Sequence, residues 1–180
     1  MPEAVSEAKQ VNGVAINLIR GDITELDVDA FVFYAQHDLA LGTGFGTAIS
    51  VRGGPTIQQE LDEIGSVETG GAVVTAAGNL EAEFIIHAVG PRFQEEDIEG
   101  KLRATMQNCL RLAEEKKIAR VAFPAMGAGY YGIPNPLCAE VMLDEIQKHV
   151  GRDTAIKEIA ICVFDTPQNE AFRGQLNALN

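Results

Sequence analysis

Positive charge is what this sequence lacks most. Lys and Arg number 14 against 26 Asp and Glu, a net charge of −12. Long polyanions and anionic membrane surfaces are held by a basic face, and this balance cannot supply one. A single small anion held by backbone amides remains compatible with it. Tryptophan is absent, and aromatic residues amount to 6%. The three cysteines, Cys109, Cys138 and Cys162, are widely spaced, form no Cys-x-x-Cys pair and sit among apolar neighbours, which reads as buried free thiols. No His, Cys and Asp group has metal-site spacing, and no Gly-x-Ser-x-Gly elbow occurs. No apolar run approaches the roughly 18 residues of a spanning helix. The first residues lack the basic-then-apolar order of a secretory leader. The expectation is a cytoplasmic protein with no membrane segment, no metal and no cofactor.

What is present is glycine, 18 of 180 residues against a usual share of about 7%. The length suits one domain, with residues 1–12 expected as a disordered or loosely packed lead-in and residues 13–180 as the folded unit. Val14 to Ile19, Ala30 to Ala35, Gly71 to Ala76, Phe84 to Val89, Val121 to Phe123 and Glu158 to Phe164 read as strands. Several are apolar throughout, the pattern of strands covered on both faces. Thr47 to Val51, Thr56 to Ile64, Ile98 to Lys117, a segment capped by Asn135-Pro136, and a segment opened by Thr166-Pro167 read as helices. The alternation predicts an α/β protein with helices on both faces of a mostly parallel or mixed sheet. In such folds ligands bind at the carboxyl ends of the strands.

Three loops fall at those ends. Gly21-Asp22-Ile23-Thr24 follows the first strand; its Asp is either a hydrogen-bond acceptor for an amine or the cap of a turn. Gly42-Thr43-Gly44-Phe45-Gly46-Thr47 precedes a helix whose first N–H groups and dipole suit an anion. Pro124 to Pro134 contains Gly127, Gly129 and Gly132 beside Tyr130 and Tyr131, a spacing able to build a nest of N–H groups around a diphosphate.

In this order and on these strands, the segments resemble the macrodomain family. Gly21 to Thr24 is similar to its opening loop and Val28-Asp29-Ala30-Phe31-Val32 to its second strand. Thr69-Gly70-Gly71-Ala72 and His87-Ala88-Val89-Gly90-Pro91 are similar to two further segments, and Pro124 to Pro134 to its phosphate loop. The likeness runs from about Val14 to Leu176. It implies a three-layer α/β/α fold with a mixed central sheet and a site for ADP-ribose, or for an ADP-ribosylated protein. Carried over, Asp22 would accept from the adenine amine and Ile23 would donate its backbone amide. Gly42, Thr43, Gly44, Phe45, Gly46 and Thr47 would line the distal ribose and part of the diphosphate. Gly127, Ala128, Gly129, Tyr130 and Tyr131 would cradle the diphosphate, and Phe164 would pack on the adenine.

The chain departs from the family at one place. Where many hydrolytic members carry Asn-Ala-Ala-Asn, it reads Phe33-Tyr34-Ala35-Gln36. A catalytic Asp of one enzymatic branch corresponds to Gly46, and Leu41 and Thr43 replace glycines. Gln36, His37 and Asp38 are the candidates for replacement catalytic groups, a His beside an Asp being able to form a general base; solvated loop residues are the plainer reading of His37 and Asp38. His87 is expected to be a structural histidine bonded to backbone. The expectation is therefore an ADP-ribose-binding module. Removal of ADP-ribose from proteins or deacetylation of O-acetyl-ADP-ribose is the alternative. A third reading is a distal pocket rebuilt by Phe33, Tyr34 and Phe45.

Overall fold

An apolar run such as Ala30 to Tyr34 is stable only where a sheet is covered on both faces, and that is where it lies. In the computed structural model, which describes residues 4–42 and 44–179, seven strands form one sheet. In chain order the elements are β1 (Ala4–Val11), β2 (Val14–Arg20), β3 (Ala30–Tyr34), α1 (Phe45–Gly53), α2 (Thr56–Ile64), β4 (Ala72–Ala76), β5 (Phe84–Ala88), α3 (Ile98–Glu115), β6 (Arg120–Pro124), α4 (Asn135–Val150), β7 (Glu158–Val163) and α5 (Thr166–Asn177). The sheet order is β1-β2-β7-β6-β3-β5-β4. The pairs β2–β7, β7–β6, β6–β3 and β3–β5 are parallel, and the edges β1 and β4 pair antiparallel.

Alternation along each strand divides the core into two layers. Phe31, Ile85, Ala122, Ala160 and Cys162 pack with Ile49 of α1 and with Ile57 and Leu61 of α2. Val32, Ile86, Phe123, Ile159 and Ile161 pack with Met106 of α3, Met142 of α4 and Phe172 of α5. The expected three-layer mixed α/β/α architecture is present. Among the described residues no helix is long and apolar enough to cross a membrane.

Three local expectations are corrected. Residues expected as a loose lead-in form β1 from Ala4 onward, paired with β2 through Val11. This strand is polar because it is an edge: Ser6 Oγ donates to Asn169 Oδ1 at 2.9 Å and Lys9 Nζ to the Asn177 carbonyl at 3.2 Å, both on α5. Its turn, Asn12-Gly13, has φ 50° and 84°, the pair of left-handed residues that a tight hairpin demands. α4 begins at Asn135 rather than being capped by it, with Pro134 in the capping position. Asp165, not Thr166, caps α5, accepting from Gln168 N at 2.9 Å. Its carboxylate meets the unpaired N–H groups of the first turn.

Candidate functional site

The parallel strands β2, β7, β6 and β3 end on the same side of the sheet, and a cavity of about 430 Å³ opens there. Gly21 and Ile23 line it after β2, Val32 to Tyr34 with Gln36 at and after β3, and Cys162 to Phe164 at β7. Gly44 and Phe45 line it where α1 begins. The strand end and loop from Pro124 to Tyr131 form its third wall. Gln168 of α5 lines it as well.

The loop after β6 turns where its glycines fall. Gly127 and Gly129 have φ 78° and 73°, which a residue with a Cβ rarely adopts. A Cβ on Gly127 would also collide with Ile133. Nothing lies within 4 Å of where a Cβ on Gly129 would be, so that face is open to a ligand. The N–H groups of Gly127 and Gly129 have no acceptor among the described residues. They flank Ala128, whose own N–H is taken by the Ala125 carbonyl at 3.2 Å, and so present two separate donors that an anion could use. α1 begins at the cavity with Phe45, and its cap, Gly44, makes no side-chain hydrogen bond to the first turn.

At one end of the cavity the rings are exposed. Phe164 is 68% and Phe45 41% accessible, and the two meet edge to face with centroids 6.3 Å apart. At the other end they are packed. Tyr34 is buried, its hydroxyl donates to the Pro91 carbonyl, and its ring lies 4.9 Å from that of Tyr131. Burial pushes the Tyr34 phenol well above its usual range, so it stays protonated. The Arg92 guanidinium stands 5.7 Å over the outer face of Tyr131.

Of the residues singled out in the sequence, Ile23, Gln36, Gly44, Phe45, Gly127, Ala128, Gly129, Tyr130, Tyr131 and Phe164 line the cavity. Asp22, His37, Asp38, Gly42, Gly46 and Thr47 do not, and Thr43 lies outside the described residues. Asp22 is the cap of a 3-10 turn, Ile23–Glu25: its Oδ1 accepts from Thr24 N at 2.9 Å, and its Oδ2 from Arg52 Nη2 at 2.9 Å. Burial alone would raise its pKa; the hydrogen bonds from Thr24 and Arg52 outweigh that and hold it below the ordinary carboxylate value.

Among the described residues His37 and Asp38 are not bonded to each other. The His37 ring bonds the Val67 carbonyl through Nδ1 at 3.2 Å and the Thr69 hydroxyl through Nε2 at 3.1 Å. Asp38 accepts from Ala40 N at 3.0 Å. The two side chains are turned to separate turns of the loop. Gln36 alone of the three reaches the cavity, with its Nε2 3.1 Å from where a Cβ on Gly42 would stand. Gly46 is closed in: a Cβ there would overlap the carbonyl of Leu41. His87 bonds the Thr75 hydroxyl at 2.9 Å rather than backbone, and burial lowers its pKa to about 3. Burial pushes the thiols of Cys109 and Cys138 up to about 12, which removes them as nucleophiles. Among the described residues no group of three or more His, Cys, Asp or Glu could hold a metal ion.

The family model for the Macro domain matches residues 34–142, which span the β3 loop, the β6 loop and the first half of α4. The chain belongs to the Macro domain family. An uncharacterised protein of Sulfurisphaera tokodaii is 40% identical over 83% of this chain and 84% of its own length. A protein of Pantoea vagans named O-acetyl-ADP-ribose deacetylase 1 is 34% identical over 90% of this chain and 98% of its own. The crystal structure of a Trypanosoma brucei macrodomain in complex with ADP-ribose superimposes with a TM-score of 0.83 at 25% identity, covering 89% of this chain and 68% of that one.

Within this macrodomain, sequence reasoning missed Arg52, the partner of Asp22, and Gln168, which lines the cavity. Arg52 is 30 positions from Asp22 in sequence, and only the packing of α1 against the β2 end reveals the pairing. Gln168 reads in sequence as an ordinary first-turn residue of a helix, and no local signal places its side chain at the strand ends.

Proposed function

We propose that this macrodomain binds ADP-ribose, free or attached to a protein, in the cytoplasm. The observation that carries the reading is the cavity itself: two N–H groups, at Gly127 and Gly129, with no acceptor among the described residues, beside exposed rings at Phe45 and Phe164. A diphosphate needs aligned donors and no Lys or Arg, and a base needs a flat apolar surface. A volume of about 430 Å³ is in the range of small-molecule sites. The macrodomain of Trypanosoma brucei is described in complex with ADP-ribose, which supports the same ligand here. On this reading Ile23 and Phe164 serve the base, Gly127 to Tyr131 the diphosphate, and Gln36 the distal ribose. Asp22 stands just outside the cavity wall, able to accept from the base amine at its rim.

Calorimetric titration with ADP-ribose tests the proposal. Saturable heat at micromolar to submillimolar ligand is expected; folded protein that gives no heat at millimolar ligand refutes it.

A second reading, hydrolysis of an ADP-ribosyl or O-acetyl-ADP-ribose ester, is favoured by the name of the Pantoea vagans relative. Gln36 is then the group at hand to hold water near the distal ribose. Turnover of an acetylated ligand, lost in Gln36→Ala, is its expected signature.

A further inference from the structure

The side chain of Gln168 is a hydrogen-bonding group that nothing in the protein fully uses. It lies in the first turn of α5, is 8% accessible, and lines the cavity. Its Oε1 accepts from Phe164 N at 2.9 Å. That bond fixes the amide, because the flipped orientation would set an NH₂ against the Phe164 N–H, donor against donor. The Nε2 limb is therefore directed away from Phe164 N. Among the described residues it has no acceptor. Two N–H donors on a side chain more than nine-tenths buried are thus left for whatever occupies the cavity.

Position decides which part of an occupant they meet. Gln168 is tied to Phe164, whose exposed ring faces Phe45 across the mouth. The free N–H groups of Gly127 and Gly129 lie on the β6 loop, one strand over. A ligand with its base on Phe164 and its diphosphate on Gly127 and Gly129 brings its nucleoside past Gln168. We infer that Gln168 is a specificity-determining residue of this site: its Nε2 donates to an acceptor atom of the nucleoside half, a base nitrogen or a ribose oxygen. Through Oε1 the same residue holds Phe164 in place. The inference rests on the ADP-ribose reading above.

The test compares wild type, Gln168→Glu and Gln168→Met against ADP-ribose, AMP and inorganic pyrophosphate. Glu keeps the oxygen that accepts from Phe164 N and loses the donors; Met loses both without adding charge. Near-UV circular dichroism and thermal unfolding check that each variant is folded. The expected result is an affinity loss of about tenfold for ADP-ribose and AMP in both variants, the worth of one hydrogen bond. Pyrophosphate affinity is expected to be unchanged in Gln168→Met. AMP analogues lacking one acceptor each (2′-deoxy, 3′-deoxy, carbocyclic at O4′, 1-deaza, 3-deaza and 7-deaza) then locate the partner. One of them binds wild type about tenfold weaker and is not weakened further by Gln168→Met. Undiminished AMP affinity in Gln168→Met overturns the inference. So does an equal loss for pyrophosphate in that variant, or strict additivity for every analogue. Wild type that binds neither ADP-ribose nor AMP overturns the ADP-ribose reading, and this inference with it.

Discussion

At the residue scale, Gly46 and His87 make opposite demands on their surroundings. Gly46 needs emptiness. Replacing glycine by alanine in a helix ordinarily gains a few tenths to about 1 kcal/mol. Here the new methyl meets the Leu41 carbonyl, a backbone group that cannot swing away. Gly46→Ala is expected to cost about 1–3 kcal/mol, read from denaturant unfolding, and Gly46→Asp at least as much. His87 needs neutrality. Its pKa is lowered by burial from 6.5 to about 3, so between those values the unfolded chain binds a proton that the folded protein does not. Stability then falls as pH drops below 6.5, by up to about 1.4 kcal/mol per unit. Between pH 6.5 and 5 the wild type is expected to lose about 2 kcal/mol relative to His87→Gln. Urea unfolding of both proteins at the two pH values checks this, and parallel pH profiles would sink it.

At the scale of elements, the parallel strands were legible because each carries its own apolar run, and the amphipathic stripes of α3 and α4 because their spacing is local. β1 was not. Two of its side chains are held by Asn169 and Asn177, more than 160 residues away, and its face is polar. The Asn12-Gly13 turn was the readable sign. Helix starts were legible to within a residue or two. Asp165 and Thr166 are adjacent and both able to cap; the extended backbone of Asp165 (φ −133°, ψ 175°) selects it. Glycine spacing gave the phosphate-type loop. Gln168 and Arg52 stayed hidden because a polar side chain on a helix says nothing about which strand end it will meet. The cap supplies a prediction of its own. Asp165→Ala is expected to cost about 1 kcal/mol in denaturant unfolding. It is also expected to weaken ADP-ribose binding measurably, because the turn it holds carries Gln168.

For the whole molecule, the net charge of −12 and the donors of the loop set an unusual sign for salt dependence. An anion held by Lys and Arg binds more weakly as salt rises. On the proposed reading the ligand is held mostly by uncharged N–H groups and repelled at long range by an acidic protein. Raising NaCl from 50 to 500 mM is expected to leave ADP-ribose affinity unchanged or slightly tighter; a steep loss would place cations in the site. The Gly46–Leu41 contact reaches further than stability. Because the Leu41 carbonyl occupies the space beside Gly46, the loop path and the residue at 46 are not independent variables. An acidic side chain can be accepted at 46 only after residues 39–42 have shifted. A single substitution toward an acid at this position is closed off, and the order in which the two changes must come is written in the backbone.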